Sequence, residues 1–196
     1  MYGIPMKNDG GPDRLIWREE SRREVYRSRV LSIRDTTCRS PEGTSGVFTV
    51  IDAPDWAIVV PVIETVRGKE FVMVRQWRHG SRELSLEFPG GVFEPGEDPL
   101  EAAARELREE TAYAHGTIRK IGEFSPNPAI MANRVHIFLA GDLRPLDKQE
   151  LDDDEYVEVE LVPIRDVFQG LGRPPYVHAL MASAYCLYLQ AAEATG

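Results

Sequence analysis

The chain has 196 residues, of which 42% are hydrophobic and 28% charged. That is the make-up of a folded domain with a sizeable core, not of a disordered segment. Its 32 acidic residues against 23 basic ones give a formal net charge of −9, which argues against a nucleic-acid or anionic-membrane surface, since both need a basic footprint. An anionic ligand must therefore be met by local arginine or by a metal cation.

In chain order, the start MYGIPMKNDGGPDR is too polar and Gly-rich for a signal peptide and is expected to be a loose arm. From Glu24 to Asp52 the pattern predicts short strands, broken by the turn-rich RSPEGTSG of Arg39–Gly46. The β-branched run Ala57–Thr65, a polar RGK turn and the run Glu70–Arg78 predict an antiparallel hairpin. A short strand, Leu84–Phe88, ends at PGG. A helix is expected from Asp98-Pro99, where an acidic cap precedes a first-turn proline, to about Ala112. Strands follow at Arg134–Ala140 and Tyr156–Ile164, separated by the acidic KQELDDDE, and a long closing helix starts at Pro174. Together these give an α/β/α sandwich around a mixed sheet, with a small antiparallel β region in front. The expected division is an arm and short strands over 1–50 and the main domain over 51–196. No apolar run reaches the ~18 residues of a membrane span. Cys38 and Cys186 show no metal or redox spacing, so reduced thiols and a cytoplasmic location are expected.

One stretch, GGVFEPGEDPLEAAARELREETAY, carries chemistry. On a helical wheel Leu100, Ala103, Ala104, Leu107 and Thr111 form one apolar face, with Glu106, Glu109 and Glu110 gathered beside it. Like charges three or four residues apart destabilise a helix by about 0.2–0.5 kcal/mol per pair. A Glu-rich helix side is most often solvated surface. The alternative is a carboxylate face for a cation: Mg²⁺ takes oxygen ligands, keeps waters and shares itself with substrate phosphates. The preceding glycines Gly90, Gly91 and Gly96 let backbone approach a ligand closely.

The spacing decides between these. Gly91, Glu97, Arg105, Glu106, Leu107, Glu109, Glu110 and Tyr113 fall on eight of the nine fixed or apolar positions of the pattern GX5EX7REUXEEXGU. Ala112 stands where the pattern has Gly. The stretch thus resembles the Nudix box, and VRQWRHG…LSLEFPGG before it, with EFSPNPAIMANRVHIFLA and DDDEYVEVELVPI after it, resembles the flanks of ADP-ribose pyrophosphatases and other nucleoside-diphosphate-sugar hydrolases. The likeness runs from about Phe48 to the end of the chain.

The resemblance implies Mg²⁺, with Mn²⁺ as the alternative, on Glu106 and Glu110, with Glu109 helping, the Gly90 carbonyl completing the sphere and Glu87 at its edge. It implies Arg78 on the diphosphate or distal sugar and Arg105 orienting the glutamates. It implies a water-activating carboxylate in the later acidic loop, Glu155 first and Asp153 as rival. The implied substrate is a nucleoside diphosphate sugar, ADP-ribose before GDP-mannose, and the implied assembly a homodimer. A nucleotide-sensing module without catalysis is the alternative of another class. Trp17, Tyr26 and Phe48 either stack a nucleobase, as the resemblance implies, or are ordinary packing residues. Asn127 and Asn133 either shape a substrate loop or cap turns. His136 and Cys186 are expected to be packing residues.

Overall fold

The computed structural model describes residues 12–153 and 155–194. Most of the expected N-terminal arm lies outside that range, as does Asp154. Among the described residues the chain forms two compact units, one reaching up to residue 53 together with 127–132 and one of residues 54–126 with those from 133 onward.

In the first unit, β1 (Arg18–Arg27), β2 (Ser32–Arg39) and β3 (Ser45–Asp52) form an antiparallel meander in sequence order. The turn before β3 uses Gly43 at a positive φ of 89°, a conformation that glycine adopts without steric penalty. Residues 127–132 lie against the end of β3, where Ile51 N–H donates to the Ile130 carbonyl and Ala132 N–H to the Ile51 carbonyl. Trp17 and Phe48 meet edge-to-face at 5.0 Å, and both, with Tyr26, remain exposed.

The second unit holds β4 (Trp56–Thr65), β5 (Gly68–Arg78), β6 (Glu83–Glu87), α1 (Pro99–Thr111), β7 (Tyr113–Ala114), β8 (Thr117–Phe124), β9 (Val135–Gly141), β10 (Arg144–Pro145), β11 (Val157–Pro163), α2 (Ile164–Gly170) and α3 (Ala179–Glu193). The main sheet runs β11-β5-β4-β9-β8, with β6 also paired to β5. Only the β4–β9 pair in it is parallel. Because side chains alternate along a strand, β4 feeds two cores. Ala57 and Val59 pack with Ala102, Ala103 and Leu107 of α1. Ile58 and Val60 pack with Val167 of α2 and Met181, Ala184 and Tyr185 of α3. Each fully buried aliphatic side chain contributes roughly 1.5–3 kcal/mol. The mixed sheet with helices on both faces is the expected sandwich.

Two expectations need correction. The closing helix begins at Ala179, not Pro174, and the separate α2 precedes it; Pro175 biases the residue before it away from helix. Cys186 is exposed, not packed. The residues of α3 are apolar on most of its sides, while only Met181, Ala184, Tyr185, Tyr188 and Ala191 turn fully inward.

Candidate active site

The site grows from one edge of β4. Its far half pairs with β5. Along its near half, Val59 and Ala57 donate to the carbonyls of Pro89 and Gly91, and Phe93 N–H donates to the Asp55 carbonyl, each at 2.9 Å. The glycine loop therefore lies in extended contact with the sheet. A Cβ on Gly90 would sit 2.1 Å from the Ala57 carbonyl oxygen, and one on Gly91 would sit 2.5 Å from Glu106 Oε1. Backbone closes the first position to a side chain, and at the second a side chain would displace the Glu106 carboxylate that rests against the backbone there.

That carboxylate comes from α1. The helix starts with Asp98 capping the Leu100 amide and Pro99 in its first turn, a favourable start for a helix. It stops where Ala112 enters the left-handed region at φ 56° and donates to the Arg108 carbonyl. This is the position where the box pattern has glycine. A side chain there costs about 1–2 kcal/mol, so the substitution is tolerated and not neutral. The buried face comprises Ala102, Ala103, Glu106, Leu107, Glu110 and Thr111. The wheel is corrected in one respect: Leu100 is exposed and Glu106 and Glu110 are buried. Two of the three clustered acids thus face the protein, and Glu109 is half-buried.

Arg105 organises the cluster. Its Nε and Nη2 grip Glu97 at 2.8 and 3.0 Å, its Nη1 meets Glu106 at 2.9 Å and Glu109 at 3.1 Å, and Nη2 also reaches the Val92 carbonyl at 3.2 Å. A guanidinium has five N–H donors, and these contacts occupy all of them. Arg105 therefore orients carboxylates and has no donor left for a substrate.

One arginine does not balance the surrounding acids. Burial, above all, lifts the Glu106 carboxyl to about 7, against the pull of Arg105 and with repulsion from Glu109 and Glu155 adding to it. Burial also lifts Glu110 to about 8, opposed by the Gly90 amide, which donates to Oε2 at 2.8 Å, and reinforced by Glu106 and Glu155. Two carboxylates pushed upward by desolvation and by each other are the donor set a divalent cation neutralises. Among the described residues no three His, Cys, Asp or Glu side chains form a preassembled metal cluster. Two carboxylates beside open backbone suit Mg²⁺, which fills the rest of its octahedron with water and phosphate oxygens. The residues fit the cation.

Beside this cluster, Arg78 Nε and Nη2 clasp both oxygens of Glu87 at 2.9 and 2.6 Å, and His178 Nδ1 lies 2.9 Å from Glu87 Oε2. Burial pushes the Glu87 carboxyl up, but the hydrogen bonds from Arg78 and His178 outweigh it and hold the group well below the usual carboxylate range. Glu87 is thus an arginine anchor whose two oxygens are already engaged. Arg78 also interacts electrostatically with Glu110.

The loop after β10 is pinned to the C-terminal end of α1, whose last carbonyls lack helical partners. Leu146 N–H donates to the Ala112 carbonyl and Glu150 N–H to that of Glu109. The Gln149 amide donates to the Glu110 carbonyl and, at 3.4 Å, to that of Val157. The acidic loop between is thereby tied at both ends to the site. Within it Glu155 N–H donates to the Asp152 carbonyl at 3.0 Å, and Glu155 is the loop acid whose charge acts on both Glu106 and Glu110.

The remaining candidates fall elsewhere. Phe48 belongs to the first unit and packs on Trp17. Asn127 also belongs there; its carbonyl accepts from Ile130 and Met131 and its side chain accepts from Ala129 N–H at 3.3 Å, a turn-capping role. Asn133 is buried and donates to the Pro54 carbonyl. His136 is buried between Asp55 and Lys120 and lies 5.0 Å from the Phe93 ring, a packed histidine as expected. Sequence pattern offered no signal for His178 or Gln149, since both act through contacts made only on folding.

A mixed sheet between helices, with a glycine turn set against a carboxylate helix, defines a Nudix hydrolase, and residues 55–182 match the NUDIX domain family; the chain belongs to this family. It is similar to an ADP-ribose pyrophosphatase of Bacillus subtilis (strain 168), at 33% identity over 176 residues, covering 89% of this chain and 92% of that protein. An ADP-sugar pyrophosphatase of Mus musculus is 30% identical over 155 residues, covering 69% and 68%. The crystal structure of an ADP compounds hydrolase superposes with a TM-score of 0.80 at 23% identity, covering 92% of this chain and 96% of that one. Among the described residues no helix is long and apolar enough to cross a membrane.

Proposed function

We propose that this Nudix hydrolase cleaves the diphosphate bond of a nucleoside diphosphate sugar, most readily ADP-ribose, in the presence of Mg²⁺, to give AMP and a sugar phosphate. The observation that carries this proposal is the burial of Glu106 and Glu110 against the Gly90–Gly91 backbone. The names of the bacterial and mouse relatives direct the substrate class. GDP-mannose is the nearest competing substrate.

Glu106 and Glu110 would hold the cation, which when bound offsets the charge of the diphosphate and acidifies an attacking water. Arg105, with its donors all engaged, keeps Glu106 and Glu109 in register with Glu97. Arg78, anchored by Glu87, meets the diphosphate. Glu155 takes the proton from the attacking water, which is general-base work for a carboxylate on a tethered loop. A nucleotide sensor without catalysis would have no need for the retained carboxylates Glu106, Glu109 and Glu110.

The test is a panel of sugar nucleotides incubated with enzyme and Mg²⁺, with released nucleoside monophosphate as the readout. ADP-ribose is expected to be turned over with the highest kcat/KM. Preference for GDP-mannose would reassign the substrate, and turnover of none would favour the sensing module.

The exposed apolar side chains of the first unit, Trp17, Val25, Tyr26, Val47 and Phe48 among them, support a homodimer in which a second copy covers them. Light scattering is expected to give twice the 22.1 kDa chain mass. A monomer at working concentration would contradict the dimer.

A further inference from the structure

Among the described residues strand β6 pairs only with β5 in the sheet, and its other edge is covered by the segment leading into α3. Leu86 N–H donates to the Pro175 carbonyl at 2.9 Å. Phe88 N–H reaches Met181 Sδ at 2.9 Å. Between them, the Glu87 carboxylate meets His178 Nδ1. Leu86 and Glu87 of β6 and Phe88 just after it are thus each held by one residue between Pro175 and Met181. The two backbone donors already protect the edge, so the imidazole contact does something further.

Its effect passes to Arg78. A guanidinium and a carboxylate joined by a fork can swing together, because the long arginine side chain retains rotamer freedom. A third donor from a different element removes that freedom. The fork uses Nε and Nη2, leaving Nη1 without a hydrogen bond to the described residues, on an arginine whose charge acts on Glu110. We infer that His178 is a positioning residue for diphosphate binding: donating from Nδ1, it fixes Glu87, which holds Arg78 with its Nη1 edge available to a phosphate. This inference rests on the proposed assignment of Arg78 to the diphosphate.

Steady-state kinetics on ADP-ribose with Mg²⁺ test it, with thermal melts alongside. His178→Leu is expected to raise KM roughly tenfold, as loss of a charge-assisted hydrogen bond does, with kcat within about twofold. His178→Asn, whose amide nitrogen falls near the position of Nδ1, is expected to restore KM to within about threefold of wild type. In an Arg78→Ala background His178→Leu is expected to add nothing, because its route is gone. If His178→Leu fails to fold, the equally sized pair His178→Asn and His178→Asp decides, and only the acid should raise KM. A raised KM in Arg78→Ala beside an unchanged KM in His178→Leu overturns the role of His178 alone. A wild-type KM in Arg78→Ala overturns the assignment of Arg78 and this inference with it. A full additional rise in the double variant, or failure of asparagine to rescue, also overturns it.

Discussion

Glu110→Gln is expected to remove hydrolysis while leaving the fold intact and, without metal above pH 8, more stable than the wild type. Glutamine keeps the shape and still accepts from the Gly90 amide, which now meets Glu110 Oε2 at 2.8 Å, but it brings no charge to a cation. Losing several kcal/mol of transition-state charge stabilisation lowers turnover on the order of 10³-fold or more. The stability effect follows from linkage. Glu106 and Glu110 have folded pKa values near 7 and near 8, above the ordinary 4.5. Their folded forms hold protons more tightly than the unfolded chain, so their stabilisation is complete below about pH 4.5 and is lost as pH rises toward 8. Glu87 works in the opposite sense, contributing stability that is lost only as pH falls below the ordinary carboxylate range, so it does not disturb the window above pH 5. The metal-free wild type should melt lower at pH 8.5 than at pH 6, and Mg²⁺ should recover the difference, since a cation favours the ionised pair. In Glu110→Gln both the decline and the recovery should shrink. An active variant, or one whose melting follows pH and Mg²⁺ as the wild type does, would sink the metal-ligand role.

The carboxylate helix was legible in sequence because its signals are local. Asp98 and Pro99 mark its start, and the spacing from Gly91 to Glu110 marks its chemistry. The β4–β5 hairpin was equally plain from two β-branched runs about a tight turn. Burial was harder. The wheel sorted Glu106 and Glu110 onto a face beside the apolar one, but hydrophobicity cannot say that the sheet-side glycines leave room for carboxylates and not for aliphatic side chains. Gly91 was read as a place where backbone approaches a ligand closely, whereas in the folded chain it is a contact surface for Glu106.

What stayed hidden depends on pairs distant in sequence. Glu87 and His178 meet only because the segment before α3 runs along β6. Gln149 reaches Glu110 and Val157 because the ending helix exposes carbonyls there. Arg105 was expected to orient the glutamates, and the saturation of all its donors by Glu97, Glu106, Glu109 and Val92 emerges only from three-dimensional geometry. Cys186 was misplaced for the opposite reason: α3 is apolar on most sides, so periodicity could not say which side turns inward.

The choice between Glu155 and Asp153 carries the second large effect. Both lie in a loop whose ends Gln149 ties to the Glu110 and Val157 carbonyls, so either could be presented to the site by the same tether. What favours Glu155 is that its charge acts on Glu106 and Glu110, the groups that would hold the cation. Glu155→Gln is therefore expected to lower kcat by about 10²–10⁴-fold, the usual worth of a positioned proton acceptor, with KM changed little. Asp153→Asn should stay within about threefold of wild type in kcat. Because the glutamine variant keeps Glu106 and Glu110, its Mg²⁺-induced rise in melting temperature should survive, which separates loss of the base from loss of the metal. Removing the Glu155 charge also lessens the repulsion at both buried glutamates, so the metal-free variant should lose less stability between pH 6 and pH 8.5 than the wild type. Near-normal kcat in Glu155→Gln with a collapse in Asp153→Asn would transfer the proton-accepting role to Asp153.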